Sequence, residues 1–119
     1  MLTNELTNDN LGYVVALIEY PEWKEQGYLE SVRDLYFDDG DHYAPWKNWA
    51  QGGPIIERES IRVTPDQGET YVNCVWFAGS ANGDGDEFNG EGPTPLIAAM
   101  RCYIASKLGD QVEVPDELQ

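Results

Sequence analysis

The sole histidine, His42, would have to anchor any nucleophilic triad in this chain, because a serine or cysteine nucleophile needs a general base within hydrogen-bond reach. It sits in an acidic turn with no serine or cysteine motif beside it, so a surface histidine is the expectation. Carboxylate pairs that could share general acid and base work stand at Asp38/Asp39, Glu57/Glu59 and Asp84/Asp86. In so acidic a chain their abundance removes their diagnostic value. Asn82, Asp84 and Asp86 alternate as calcium ligands do, yet the sixth position of that loop is Glu87 where a sharp turn needs glycine, and the twelfth is Pro93 where a bidentate glutamate belongs. No bound metal and no cofactor are expected.

Binding chemistry has better candidates. Trp46 and Trp49, flanking Lys47 and Asn48, could present an aromatic anchor or a stacking platform, and one of the two is expected to be partly exposed. Arg58, Arg62 and Arg101 could hold a phosphate beside such a platform. Thr94, in Gly92-Pro93-Thr94, precedes a helix whose first amides could receive an anion, although capping by Thr94 itself explains the same residues.

Charge bounds what such a site could meet. The chain has 22 acidic and 7 basic residues, a formal net charge of -15. Ten of the acids precede Gln51 and twelve follow it, so the charge is a property of the whole surface and not of a tail. A phosphate backbone is repelled by such a field, which excludes direct nucleic-acid binding. The field serves solubility or a partner protein with a basic surface. Met1 to Asn10 has neither the basic start nor the apolar centre of a secretory signal, and no apolar run approaches the ~20 residues of a membrane span. The expected location is cytoplasmic, where Cys74 and Cys102, inside apolar segments, remain thiols packed in a core.

The elements that must position these residues fit one domain, residues 1–119, of α+β class. Asp9 to Tyr20 carries Leu11, Val14, Val15 and Ile18 at helical spacing, with Asn8 or Asp9 as cap and Pro21 as stop. GYVVALIEY would also suit a strand, and the spacing favours the helix. SVRDLYF, Ser31 to Phe37, alternates as a strand before the turn Asp38 to Asp41. Gly53-Pro54 is expected to start one or two helical turns. A central antiparallel hairpin then joins residues 61–64 to 70–78 across the turn Pro65 to Gly68. The stretch 79–92 reads as a mobile acidic loop.

The last helix, Pro95 to Leu108, is legible almost letter by letter, with Thr94 as cap, Pro95 at the first position and Gly109 at the exit. At 100° per residue Leu96, Ile97, Met100, Tyr103, Ile104 and Leu108 share one face, expected on the sheet. Ala98, Ala99, Cys102 and Ala105 form a small face that would admit another helix, either the N-terminal one or a second copy of the chain in a homodimer. Arg101 and Lys107, conspicuous cations here, are expected to pair with nearby carboxylates.

The tryptophan-led WAQGGPIIERESI, Trp49 to Ile61, followed some thirty residues later by GPTPLIAAMRCYIASKLGD, resembles the NinX-like family of small phage and prophage proteins. The opening LTNDNLGYVVA is similar to that family's first helix, with Gly12 and Val14 where the family has a more polar and aromatic mix. The resemblance implies a phage-encoded accessory protein working inside a bacterial host, and it implies no reaction. Residues and resemblance together rank binding of a host or phage protein first, a sponge for a nucleotide-like molecule on Trp46 or Trp49 second, and an enzyme last.

Overall fold

The computed structural model describes residues 1–65, 75–81 and 85–119. Its helices are α1 (Asn8–Glu19), the single turn α2 (Glu22–Glu25), α3 (Trp49–Arg58) and α4 (Pro95–Leu108), and its strands are β1 (Arg62–Pro65), β2 (Trp76–Ala81) and β3 (Glu87–Gly92). The strands form one antiparallel sheet in the order β1-β2-β3. The antiparallel pairing expected of the hairpin is there from residue 76 onward, while its positions 70–74 and the turn residues 66–68 lie outside the described residues, as do Tyr71, Cys74, Asn82 and Asp84.

α4 is the middle layer. It packs on all three strands with one face and on α1 and α3 with the other. Every residue from Leu96 to Ala105 is buried, which is why the helix has almost no polar face. Thr94 Oγ1 accepts the Ile97 amide at 3.2 Å, and Gly109 leaves the helix at φ 91°, as its sequence dictates.

The sheet meets part of the face expected for another helix, together with Ile97 from the large face. Ala98 and Cys102, from the small face, lie against the sheet: a Cβ on Gly90 would collide with the Ala98 carbonyl oxygen and the Cys102 backbone. One on Gly92 would stand 2.7 Å from Ile97 Cγ2. Cys102 Sγ reaches the Phe88 carbonyl oxygen at 3.4 Å and Ser80 Oγ at 3.6 Å. The sheet is thin where the helix crosses it, with Ala78, Ser80, Gly90 and Gly92 in the crossing strands, so small residues meet small residues and the backbones approach closely. Ala98 and Cys102, in the face expected to admit a second helix, are therefore covered by the chain's own sheet.

Of residues 79–92, read as a loop, 79–81 are the end of β2 and 87–92 are all of β3, while 82–84 lie outside the described residues. Glycines that look flexible in sequence supply the space in which α4 sits. Ser31–Phe37 is not a strand either: Tyr28–Asp34 forms 3-10 turns with a kink at Ser31, burying Leu29 and Val32 three residues apart. The turn that follows is as expected, with Gly40 at φ 91° and Phe37 N donating to the Asp41 carbonyl oxygen at 2.8 Å. α3 starts at Trp49 rather than at Pro54, because Asn48 Oδ1 caps the Ala50 amide at 2.9 Å. Pro54 then stands inside the helix, which forgoes only the bond to the carbonyl of exposed Ala50. α1 begins one residue earlier than expected, with Thr7 rather than Asn8 or Asp9 as its cap and the Thr7 amide donating to Asn10 Oδ1 at 2.6 Å.

Candidate functional site

Three of the sequence-selected residues, Trp46, Trp49 and Thr94, meet in one cleft of about 340 Å³ where the turn before α3 faces the first residues of α4. Gln51 holds that turn in place, accepting the Ala44 amide at 2.7 Å and donating to the His42 carbonyl oxygen at 2.8 Å. Trp46 is buried over α1, so close to Gly12 that a Cβ there would stand 2.5 Å from its ring. Trp49 is 55% exposed and is the open aromatic wall. Lys47 adds a cation and Leu96 and Ile97 an apolar floor. An aromatic or apolar group with a negative end is what such walls accommodate, the N-terminal end of α4 adding its partial positive charge.

The arginines do not join them. Arg58, at the end of α3, bonds Glu19 at 2.5 Å and Glu59 at 2.9 Å, and donates to Tyr103 Oη at 3.1 Å. Lys107 completes the network on Glu59 at 3.1 Å, as expected for that cation. These hydrogen bonds, Glu19 first, raise the Arg58 pKa, and the Arg58 bond in turn holds the Glu59 carboxyl below its ordinary value. Desolvation, the largest cause, pushes the Tyr103 hydroxyl up to about 12. Arg62 lies on β1 opposite Gly79, away from the tryptophan cleft.

Arg101 departs furthest from its expected role. It is 6% exposed and donates Nε to the Leu6 carbonyl oxygen at 2.9 Å and Nη1 to the Glu91 carbonyl oxygen at 2.6 Å. It thus ties α4 to the N-terminal segment and to β3 through main-chain carbonyls, not carboxylates. Burial lowers its pKa, partly offset by the Glu91 charge. It is a structural cation. Residues missed by the sequence reading include Glu19 and Tyr103, whose joint service to Arg58 has no local signal because they lie on separate helices.

His42 Nε2 is 2.7 Å from the Arg33 carbonyl oxygen, a geometry in which the ring nitrogen donates. Among the described residues no group of three or more His, Cys, Asp or Glu side chains is placed to hold a metal, and no helix is long and apolar enough to cross a membrane. Asp9, Glu19 and Glu59 are carboxylates held in ion pairs.

A family model described as Bacteriophage P22, NinX matches residues 3–107, a span that holds the tryptophan cleft, the Arg58 network and the whole sheet. None of the curated proteins matches the chain.

Proposed function

The chain belongs to the bacteriophage P22 NinX family, and from that premise we propose that it is an accessory protein that acts by binding rather than catalysis, in the cytoplasm of the bacterial host, on a host or phage protein with a basic surface. One observation carries this reading. The chain carries 22 acids against 7 cations, and of these cations Arg33, Arg58 and Lys107 each neutralise a carboxylate in an ion pair while Arg101 is buried on carbonyl oxygens, so the acidic excess stays unbalanced. A field of one sign steers a partner of the other and rejects nucleic acid. Counter-defence or modulation of the host is the role such a protein would serve. Catalysis ranks below binding because the one histidine is bonded to a carbonyl oxygen and not to a hydroxyl or thiol.

The experiment is capture from phage-infected cells on the immobilised full chain, with proteins and released small molecules both identified by mass spectrometry. A basic protein retained in stoichiometric amount at about 0.15 M salt and released at about 1 M is the expected result, since screening shortens the reach of the field. Absence of any such protein overturns the reading.

The tryptophan cleft supports a second reading, a sponge for a nucleotide-like molecule, with Trp49 as the stacking face and Lys47 rather than the arginines as the cation. A nucleotide released by denaturing the captured protein, and absent from a Trp49→Ala variant, would establish it in place of the first.

A further inference from the structure

A second cleft of about 340 Å³ opens between the end of α1, the turn at residues 37–45 and the outer side of α3. Its walls combine aromatic rings with carboxylates. Tyr20, Phe37 and Tyr43 line it, with the Tyr20 and Phe37 centroids 6.2 and 5.9 Å from that of Tyr43 in edge contacts. Trp23, stacked on Tyr20 at 4.0 Å, backs them and keeps the rings in place. Asp39 and Asp41 stand exposed on the rim. Asp39 is fixed there because its Oδ1 accepts the Asp41 amide at 2.9 Å. The one cation in the wall, Arg58, is already committed to Glu19 and Glu59.

Tyr43 supplies the observation that points to a ligand. It is 3% exposed, yet its hydroxyl has no hydrogen-bond partner among the described residues. A buried hydroxyl without a partner is costly, and most are satisfied. Its surroundings include Tyr20 and Glu19, which line the same cleft, and burial first, then these neighbours, keeps it un-ionised. A donor entering from the cleft would satisfy the oxygen.

We propose that this cleft receives the guanidinium of an arginine in a basic segment of the partner protein, held by Asp39 and Asp41 and by the partly exposed rings of Tyr20 and Phe37, with one N–H turned to the buried Tyr43 oxygen behind them. The inference rests on the reading of a basic protein partner and adds to it the place and the side chain. Arginine fits where lysine does not, because a planar fork can lie on an aromatic face, bond two carboxylates and still offer an N–H to the Tyr43 oxygen. The ammonium of lysine is a compact, more strongly hydrated charge that forfeits the stacking.

The test titrates the full chain with a capped Gly-Arg-Gly peptide, followed by aromatic NMR shifts, with the lysine and citrulline peptides in parallel. Saturable shifts of the Tyr20, Phe37 and Tyr43 rings with the arginine peptide alone are expected. The Asp39→Asn/Asp41→Asn variant should weaken them at least about threefold, whereas a charge-matched Glu113→Gln/Asp116→Asn variant should not. Asparagine at 39 keeps the oxygen that accepts the Asp41 amide, so the turn is preserved. Tyr43→Phe, which keeps the ring, should also weaken binding.

No saturable shift at these rings up to on the order of 10 mM peptide, above the millimolar range in which a single side chain binds, overturns the proposal. So does equal binding of the lysine or citrulline peptide, or equal loss in the two double variants. A partner captured undiminished by Asp39→Asn/Asp41→Asn overturns the cleft and leaves the acidic-surface reading standing. An arginine peptide seated in the cleft while infected cells yield no basic protein overturns the protein partner, and not the chemistry of the cleft.

Discussion

Gly90 of β3 lies directly against Cys102 of α4: a side chain there would meet the Cys102 backbone nitrogen and the Ala98 carbonyl oxygen, neither of which can swing aside. Gly90→Ala therefore forces helix and sheet apart and should cost about 3 kcal/mol, the upper part of the usual overpacking range. Gly53, inside α3, has nothing within 4 Å of its Cβ position. Gly53→Ala should leave stability unchanged or raise it by up to about 1 kcal/mol. Urea unfolding of both variants checks the pair, and equal effects would refute the close contact.

Arg101 makes a second test of how α4 is held. Replacing a buried ion pair with an apolar group can be neutral, but here the acceptors are the Leu6 and Glu91 carbonyl oxygens, which stay behind when the guanidinium goes. Arg101→Leu should lose about 3–6 kcal/mol, the scale of two hydrogen bonds from a charged donor. Arg101→Lys, a point donor that cannot bridge both oxygens, should fall between. Because the residue serves the fold, the folded fraction of either variant should capture partner as the wild type does.

These two contacts also show what could be read from the sequence. α4 was legible because cap, first-turn proline and terminal glycine are local signals, and they operate as such in Thr94, Pro95 and Gly109. β3 was not, since Gly90 and Gly92 have no side chain through which a strand period could show. Their conformation comes from pairing with Ala78 and Trp76 and from the helix above. The same cause hid which face of α4 meets the sheet. In the tryptophan cleft, two aromatic residues three apart could be singled out from sequence, whereas the joining of Trp49 to Thr94 required the chain to fold back across more than a third of its length. Arg101 was misjudged because nothing local tells a cation that its partners are carbonyl oxygens rather than the abundant carboxylates.

Glu59 gives the pH dependence a definite sign. Hydrogen bonds from Arg58, the largest cause, and from Lys107 lower its pKa below the ordinary 4.5, so its folded form binds a proton less readily than its unfolded form. Its contribution is present above that unfolded value and is lost as pH falls through the folded one. The stability difference between wild type and Glu59→Gln should be at its full size at pH 7, under about 1 kcal/mol for a surface network, and should shrink steadily as pH falls below 4.5. Comparing the two proteins at each pH cancels the relief of general repulsion that protonating the other acids brings. A difference that grows on acidification would contradict the assignment.

Trp46 and Trp49 separate structure from binding within one cleft. Trp46 is 6% exposed and fills the space left by Gly12, so Trp46→Ala should cost about 3–5 kcal/mol, the range of large aromatic truncations in a core. Trp49 is more than half exposed, and Trp49→Ala should stay within about 0.5 kcal/mol of wild type. Quenching by acrylamide should fall in Trp49→Phe, because the most accessible of these two indoles is then gone. If the sponge reading holds, a nucleotide should quench wild type and fail to quench the remaining fluorescence of Trp49→Phe, and stability should not explain the loss. If only protein binding through the acidic surface operates, nucleotide leaves both spectra unchanged, and the cleft contributes apolar contact alone.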